Sequence, residues 1–365
     1  MKVLFISNGI WDYDGRLREL VQVSRSLGET KLITRSINNV SHYDHIKIVN
    51  KNFISFVFIS IYHALISGKT DVLFIDNRKA IIPAMIIRKI KRPRFTILDV
   101  RELYLSNEVH HLQGKIGCYF ESLMIKKANI VISANKQRSK IMKEYYKLSE
   151  APIVYENIRR IEFSENYNEK YYRNKYDDLL KRNTCKIIST SGFSVSRTND
   201  ILVKSMNELG ENYELLLVGG GTTEDRNVIE GLIKDNGLSN VTLIDMVDAD
   251  ELKFLLQNSD IGIVNYHQKD SNNKYCASGK IYEFLFEGVP VVTTENEPLR
   301  EFCDAHKVGE ANNNYSIGIS NVSQKYEYYK KNVLNFIKKI DVAENNSTLL
   351  KAISKKIEGN ENESR

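Results

Sequence analysis

Twice along this chain, short apolar runs rich in β-branched residues alternate with stretches of helical periodicity. That rhythm calls for parallel strands joined by crossover helices, because each strand must be buried on both faces. The first series places strands at 2–7, 30–34, 46–49, 71–75, 95–99, 129–133 and 152–155, with helices at 15–28, 53–67, 80–91, 115–127 and 135–147. A polar stretch rich in Tyr, Asn, Glu and Lys, from Glu165 to Arg182, then breaks the pattern. A second series follows, with strands at 185–190, 213–218, 240–244, 260–264 and 289–293 and helices at 198–209, 223–236, 249–257 and 279–287. From about 323 to 357 only helical signal remains.

With 365 residues the chain exceeds one ordinary core. The expected fold class is therefore α/β, with two doubly wound, Rossmann-like domains facing a cleft. The expected first domain is 1–160, with the helices of 323–357 crossing back onto it; 161–183 form a linker and 184–322 the second domain. Ligands of such sheets sit outside the carboxyl ends of the strands.

Charge divides unevenly between the halves. Residues 1–160 carry 27 Lys+Arg against 14 Asp+Glu, and the remainder 25 against 32, for an overall +6. The excess gathers in Arg88-Lys89-Ile90-Lys91-Arg92-Pro93-Arg94, directly after the apolar run Ile81 to Ile87. A basic, apolar-edged helix suits an anionic membrane surface or an acidic acceptor, and equally a solvated helix end. No stacking or recognition-helix pattern accompanies the charge, so nucleic acid is not an expected partner. The run Phe53 to Ser67 is too short to span a bilayer, is interrupted by His63 and reads as a buried helix. Four scattered cysteines give neither a disulfide framework nor a zinc motif. The first residues read as a strand rather than a signal peptide, and the expected compartment is the cytoplasm.

Several segments could carry chemistry. Ser278-Gly279-Lys280-Ile281-Tyr282-Glu283 opens a helix on small residues, with Lys280 in its first turn and Glu283 one turn later on the same face. Free backbone N–H groups and a lysine favour an anion, and a carboxylate beside them accepts hydrogen bonds from hydroxyls. Leu217-Val218-Gly219-Gly220-Gly221-Thr222 is a strand, a glycine turn and a capped helix start, where backbone can approach a phosphate or simply turn tightly. Ser191-Gly192 follows the first strand of the second series, and Arg197 stands close to the next helix, either as a diphosphate clamp or as a surface arginine. Asp99, Arg101 and Glu102 end a strand of the first series, as part of a site or as an ion pair. Asp12-Tyr13-Asp14 and Asp248-Ala249-Asp250 match D-x-D, but both precede helices, where aspartate caps. No spacing calls for a metal, and no nucleophile elbow or Walker loop is present.

Taken in order, Ser191-Gly192, Leu217 to Gly221, Asn240 to Leu243, Asp250-Glu251-Leu252, Asn258 to Ile261 and Lys280 to Val292 resemble the GT-B glycosyltransferases of the family 4-like group. In the first half, Asp14-Gly15-Arg16-Leu17-Arg18-Glu19 resembles the acceptor-side helix start of such enzymes. The resemblance implies a retaining, metal-independent glycosyltransferase without a cofactor. It would move a sugar from a nucleotide-sugar donor, UDP-linked before GDP-linked, to a glycan or lipid-linked glycan at the inner face of a bacterial membrane. By the same resemblance Glu283 holds the ribose, while Lys280, the backbone around Ser278 and Gly279, and Arg197 hold the diphosphate. Ser191, Gly192, Gly219, Gly220, Gly221 and Ile281 complete the donor side, and Asp14, Gly15, Arg16, Asp99, Arg101 and Glu102 belong to the acceptor side.

Three positions depart from the family pattern. Tyr275 stands where a Glu often contacts the donor sugar, Phe193 replaces the Arg of a Gly-Arg pair, and Arg101 replaces a rim histidine. These changes admit two alternatives: a non-catalytic nucleotide-sugar-binding partner subunit and a nucleotide-sugar epimerase. The epimerase needs an acid/base pair that the sequence does not offer.

Overall fold

In a computed structural model of the chain, residues 1–37, 41–42, 44–49 and 52–363 are described, the last four without their side chains. The chain divides into two compact units, Met1–Ile158 with Val342–Arg365, and Arg159–Asp341.

The first unit runs β1 (Lys2–Ile10), α1 (Gly15–Leu27), β2 (Glu29–Ser36), β3 (His45–Val49), α2 (Phe53–Ile66), β4 (Val72–Asp76), α3 (Ile81–Lys91), β5 (Phe95–Val100), α4 (Leu112–Ile125), β6 (Ile130–Ser133), α5 (Lys136–Tyr146) and β7 (Ile153–Val154). Its strands form one parallel sheet ordered β3-β2-β1-β4-β5-β6-β7, so the strand order reverses between β1 and β4. β4 and β5 are buried throughout, as central parallel strands covered on both faces must be.

The second unit begins with two short helices, α6 (Glu169–Lys175) and α7 (Asp177–Lys181). The α/β series follows: β8 (Cys185–Ser189), α8 (Asn199–Leu209), β9 (Tyr213–Val218), α9 (Thr223–Asp235), β10 (Val241–Ile244), α10 (Ala249–Gln257), β11 (Ile261–Val264), α11 (Ser271–Lys274), α12 (Lys280–Phe286), β12 (Val291–Thr293), α13 (Glu297–His306) and β13 (Gly309–Ala311). Helices α14 (Tyr315–Gln324) and α15 (Tyr326–Ile337) close it. This sheet is parallel in the order β10-β9-β8-β11-β12-β13 and reverses between β8 and β11.

A last helix, α16 (Val342–Glu363), belongs to the first unit. Its Leu349, Ile353 and Ile357, spaced one turn apart, are buried with Leu17, Leu20 and Leu27 of α1. Asn346 fastens the helix by donating to Glu19 Oε2 at 2.6 Å and accepting from the Tyr155 hydroxyl at 2.6 Å.

Two expected boundaries move. The helical signal of 323–357 is split, because α15 buries Tyr329, Val333 and Phe336 in the second unit and only α16 joins the first. The stretch expected as a linker also belongs to the second unit. Tyr172 of α6 stacks on Phe254 of α10 with ring centroids 5.7 Å apart, and Lys175 pairs with Glu251 at 2.6 Å.

Replacing Ile353 by Ala removes a fully buried side chain from the seam between α1 and α16. Denaturant unfolding is expected to show a loss of about 2–5 kcal/mol; a loss under about 0.5 kcal/mol would show that α16 does not seal this core.

Candidate functional site

A cavity of about 500 Å³ opens in the second unit at the carboxyl ends of β8 and β9, beside the point where the strand order reverses. Two glycine turns form its floor. Gly192 adopts φ +65° and lies so close to the turn after β9 that a Cβ there would overlap the Gly220 carbonyl oxygen. Gly219, at φ +125°, approaches Gly192 in return, and the Phe193 amide donates to Gly220 O at 3.1 Å. The glycines therefore serve first to let two backbones meet.

Beneath the floor lies a polar network. Ser191 Oγ stands 2.8 Å from Ser189 Oγ and 3.0 Å from Asn265 Oδ1, and Asn199 Nδ2 donates to Gly192 O at 2.7 Å. Asn199 and Asn265 are buried, so these bonds hold the 189–192 turn in one geometry.

Three cations and one carboxylate line the cavity: Arg159, Arg197, Lys280 and Glu283. Lys280 Nζ donates to Thr190 O at 2.5 Å and lies 3.1 Å from Thr190 Oγ1. Burial brings its pKa down to about 8, with Arg159 and Arg197 adding to the shift against the opposing pull of Glu283. Arg159 Nε lies 2.6 Å from Glu283 Oε1. The Arg197 guanidinium rests 4.1 Å above the Tyr266 ring and reaches Asn273 Oδ1 at 3.4 Å. Val218, Met246, Val247 and Leu252 add an apolar wall. The arrangement suits a ligand with a doubly charged anionic part and an apolar or aromatic part.

The carboxyl end of the first unit's sheet holds a denser group of charges. Arg101 grips Asp76 through Nε and Nη2, both at 2.5 Å, and also binds Asp14. Arg16 donates to both oxygens of Asp99, at 3.0 and 2.7 Å, and to Tyr155 O at 2.8 Å. Ser7 Oγ donates to Asp76 Oδ2 at 2.6 Å. Burial raises the Asp76 carboxyl to about 6; Arg101 pulls it down, and Asp99 and Asp14 push it up. Burial works against the charge of Arg101, but the three carboxylates hold its pKa above the ordinary value.

No protein-family model matches the chain, and no curated protein matches it in sequence. Solved structures match it over nearly its whole length. HepE of Anabaena, solved in complex with UDP, shares 16% identity at a TM-score of 0.71, covering 97% of this chain and 100% of its own. Sucrose-phosphate synthase of Thermosynechococcus elongatus shares 16% at 0.68, covering 99% and 98%. WaaG, a glycosyltransferase involved in lipopolysaccharide biosynthesis, shares 12% at 0.69, covering 96% and 99%. The chain has the GT-B fold.

Within this GT-B chain the structure gathers Ser191, Gly192, Gly219, Gly220, Arg197, Lys280 and Glu283 around one cavity. Others among the sequence-derived donor residues lie elsewhere. Ile281 is buried on the core side of α12 and offers the cavity no side chain. Gly221 packs against Phe193, and Gly279 caps α12 without a side chain. Ser278 Oγ is buried without a hydrogen-bond partner, outside the lining. On the acceptor side, Asp14, Arg16, Asp99 and Arg101 are joined, whereas Glu102 is exposed and stays outside the group; Gly15 is the first residue of α1.

The D-x-D carboxylates bind protein donors. Asp14 and Asp248 cap α1 and α10, Asp12 accepts from Ser36 and Ile37, and Asp250 from Ser164. Phe193 is buried beneath the glycine turns and Arg226 stacks 5.0 Å above it, so the position where the sequence resemblance led one to expect an arginine carries a core side chain. Tyr275 lies just past α11, with Lys274 Nζ 5.3 Å from its ring. Sequence reasoning missed Arg159, Asn199, Asn265 and Asp76. The signal for Asn265 and Asp76 was a polar residue at the carboxyl end of an apolar strand.

Replacing Arg101 by Met leaves Asp76 buried without its cation. The expected cost at pH 7 is about 3–5 kcal/mol, read by denaturant unfolding. Even with Arg101 present, the folded pKa of Asp76 lies above its unfolded value, so the native state binds more protons between about 4 and 6 and this group's contribution falls as pH rises through that window. Without the arginine the carboxyl rises further, so the cost is expected to shrink at pH 5. An equal cost at both pH values would contradict this assignment.

Proposed function

We propose that the protein is a retaining, metal-independent glycosyltransferase. It moves a sugar from a nucleotide-sugar donor, a UDP-sugar first, to a glycan or lipid-linked glycan in cell-surface polysaccharide synthesis. The observation that carries the reading is the excess of cations over carboxylates in a cavity floored by two glycine turns at the switch point of the second sheet. Structures of HepE with UDP and with UDP-glucose, and the lipopolysaccharide role of WaaG, support the donor class and the pathway by analogy of fold.

In this reading Lys280 and Arg197 bind the diphosphate and stabilise the charge that develops as it leaves. Arg159 engages Oε1 of Glu283, and the carboxylate's other oxygen accepts from the ribose hydroxyls. Met246, Val247 and Leu252 cover the base. Among the acceptor-side residues, half-buried Asp14 and Arg101 are within reach of an acceptor hydroxyl, while the buried Arg16 and Asp99 act as positioning residues. The protein works in the cytoplasm at the inner face of the membrane, where the basic first unit meets anionic lipid. Among the described residues no helix is long and apolar enough to cross a membrane.

A thermal-shift panel of nucleotide sugars, followed by product analysis on glycan acceptors, tests this. A UDP-sugar is expected to raise the melting temperature and to be consumed only with acceptor. Lys280→Ala and Arg197→Ala should each lower turnover by roughly 10²–10³-fold while remaining folded. Wild-type-like turnover in either variant would remove the proposed site, and binding without turnover over a broad acceptor panel would assign a binding subunit instead.

A further inference from the structure

Thr198, directly after Arg197, breaks two local rules. Its backbone stands in the left-handed region, at φ +61° and ψ +24°. Four other non-glycine residues among those described have a positive φ. Three of them, Arg92, Lys147 and Lys307, end helices, where a left-handed residue is the ordinary stop. The fourth is Asn77, a residue type that tolerates the region. Thr198 is β-branched and opens a helix, α8, so its backbone is strained. Threonine in that place ordinarily caps the first turn with its hydroxyl, and Thr198 makes no such bond.

The hydroxyl is used elsewhere. Thr198 Oγ1 donates to Arg197 O at 2.6 Å and lies 2.6 Å from the Tyr315 hydroxyl. A hydroxyl has one proton. With that of Thr198 given to the carbonyl, Tyr315 is the donor of the second bond. Tyr315 is buried at the start of α14, and burial raises its pKa to about 12, so it keeps the proton it donates. The preceding turn, Val195–Arg197, is held from the other side, where the Val195 amide donates to Asp225 Oδ1 of α9 at 3.2 Å. The Arg197 side chain therefore leaves a backbone fixed from two helices, and its guanidinium rests against Tyr266 and Asn273 at the cavity.

We infer that Thr198 and Tyr315 are positioning residues for Arg197, and that the strain at Thr198 is retained because it aims the guanidinium into the cavity. Strain at a single residue persists only where its surroundings hold it, and such residues gather at binding sites. A threonine in the relaxed, capping conformation would turn its hydroxyl to the α8 amides and release the Arg197 carbonyl. Neither Thr198 nor Tyr315 lines the cavity, so both act through Arg197. The inference rests on the reading of Arg197 as a diphosphate ligand and adds the groups that place it.

Calorimetric titration with UDP and with UMP tests this through the ratio of the two affinities, which a merely structural change leaves alone. Arg197→Ala is expected to lower the ratio at least about tenfold. Tyr315→Phe and Thr198→Gly should each lower it about threefold to tenfold, but by under about twofold in a chain that already carries Arg197→Ala. Thr198→Ser keeps the hydroxyl and should retain the wild-type ratio. Thr198→Gly removes the strain together with the hydroxyl, so it should lose the ratio while its melting temperature stays close to that of wild type. A ratio unchanged in Tyr315→Phe and Thr198→Gly, beside a lowered one in Arg197→Ala, would overturn the positioning role and leave the diphosphate reading standing. An unchanged ratio in Arg197→Ala would overturn both. A melting temperature far below wild type in Thr198→Gly, with the ratio kept, would make the turn a purely structural one.

Discussion

The contact between Lys280 and Thr190 holds the candidate site together. It ties the first turn of α12 to the turn after β8, across the place where the strand order of the second sheet reverses. Everything around it depends on the ammonium group standing there. Glu283, one turn along α12, stays near enough to oppose the lysine's loss of charge, and Arg159 reaches that carboxylate in turn. The two glycine turns must touch for the turn after β8 to lie where Lys280 finds it, and only residues without a Cβ allow that.

The two units solve the problem of buried charge differently. In the first, three carboxylates meet two arginines with near-complete pairing. In the second, cations outnumber carboxylates and the surplus faces a cavity. A paired cluster stabilises a geometry; an unpaired surplus waits for an anion. This contrast is why the second unit carries the donor proposal, and why Arg16 and Asp99 of the first unit are proposed as positioning residues.

Much of the architecture was legible because parallel strands buried on both faces leave nearly continuous apolar runs. Lys280, Glu283 and the two glycine turns were legible because each is a local pattern. Arg159 was hidden in a polar stretch that reads as a connection, and its role appears only through contact with Glu283, 124 positions later. The short strand β13, Gly309–Ala311, has no apolar run, and is placed by pairing with Val291 to Thr293. The division of the final helices was not readable either, since amphipathic spacing tells that a helix buries one face and not which core receives it. Most of all, the apolar run of α2 reads as a buried helix although Ile54, Phe58 and Tyr62 are exposed, because hydrophobicity alone does not say on which side the large residues stand.

Proton uptake on ligand binding tests the central claim most directly. Calorimetric titration of UDP at pH 8.5, in buffers of different ionisation enthalpy, measures it without any assay of transfer. With its pKa at about 8, Lys280 is then largely neutral, and a diphosphate beside it would restore the charge. The account predicts uptake of roughly half a proton or more per UDP by the wild type, and none by Lys280→Met. Tight binding with no proton uptake, or the same uptake in Lys280→Met, would contradict it.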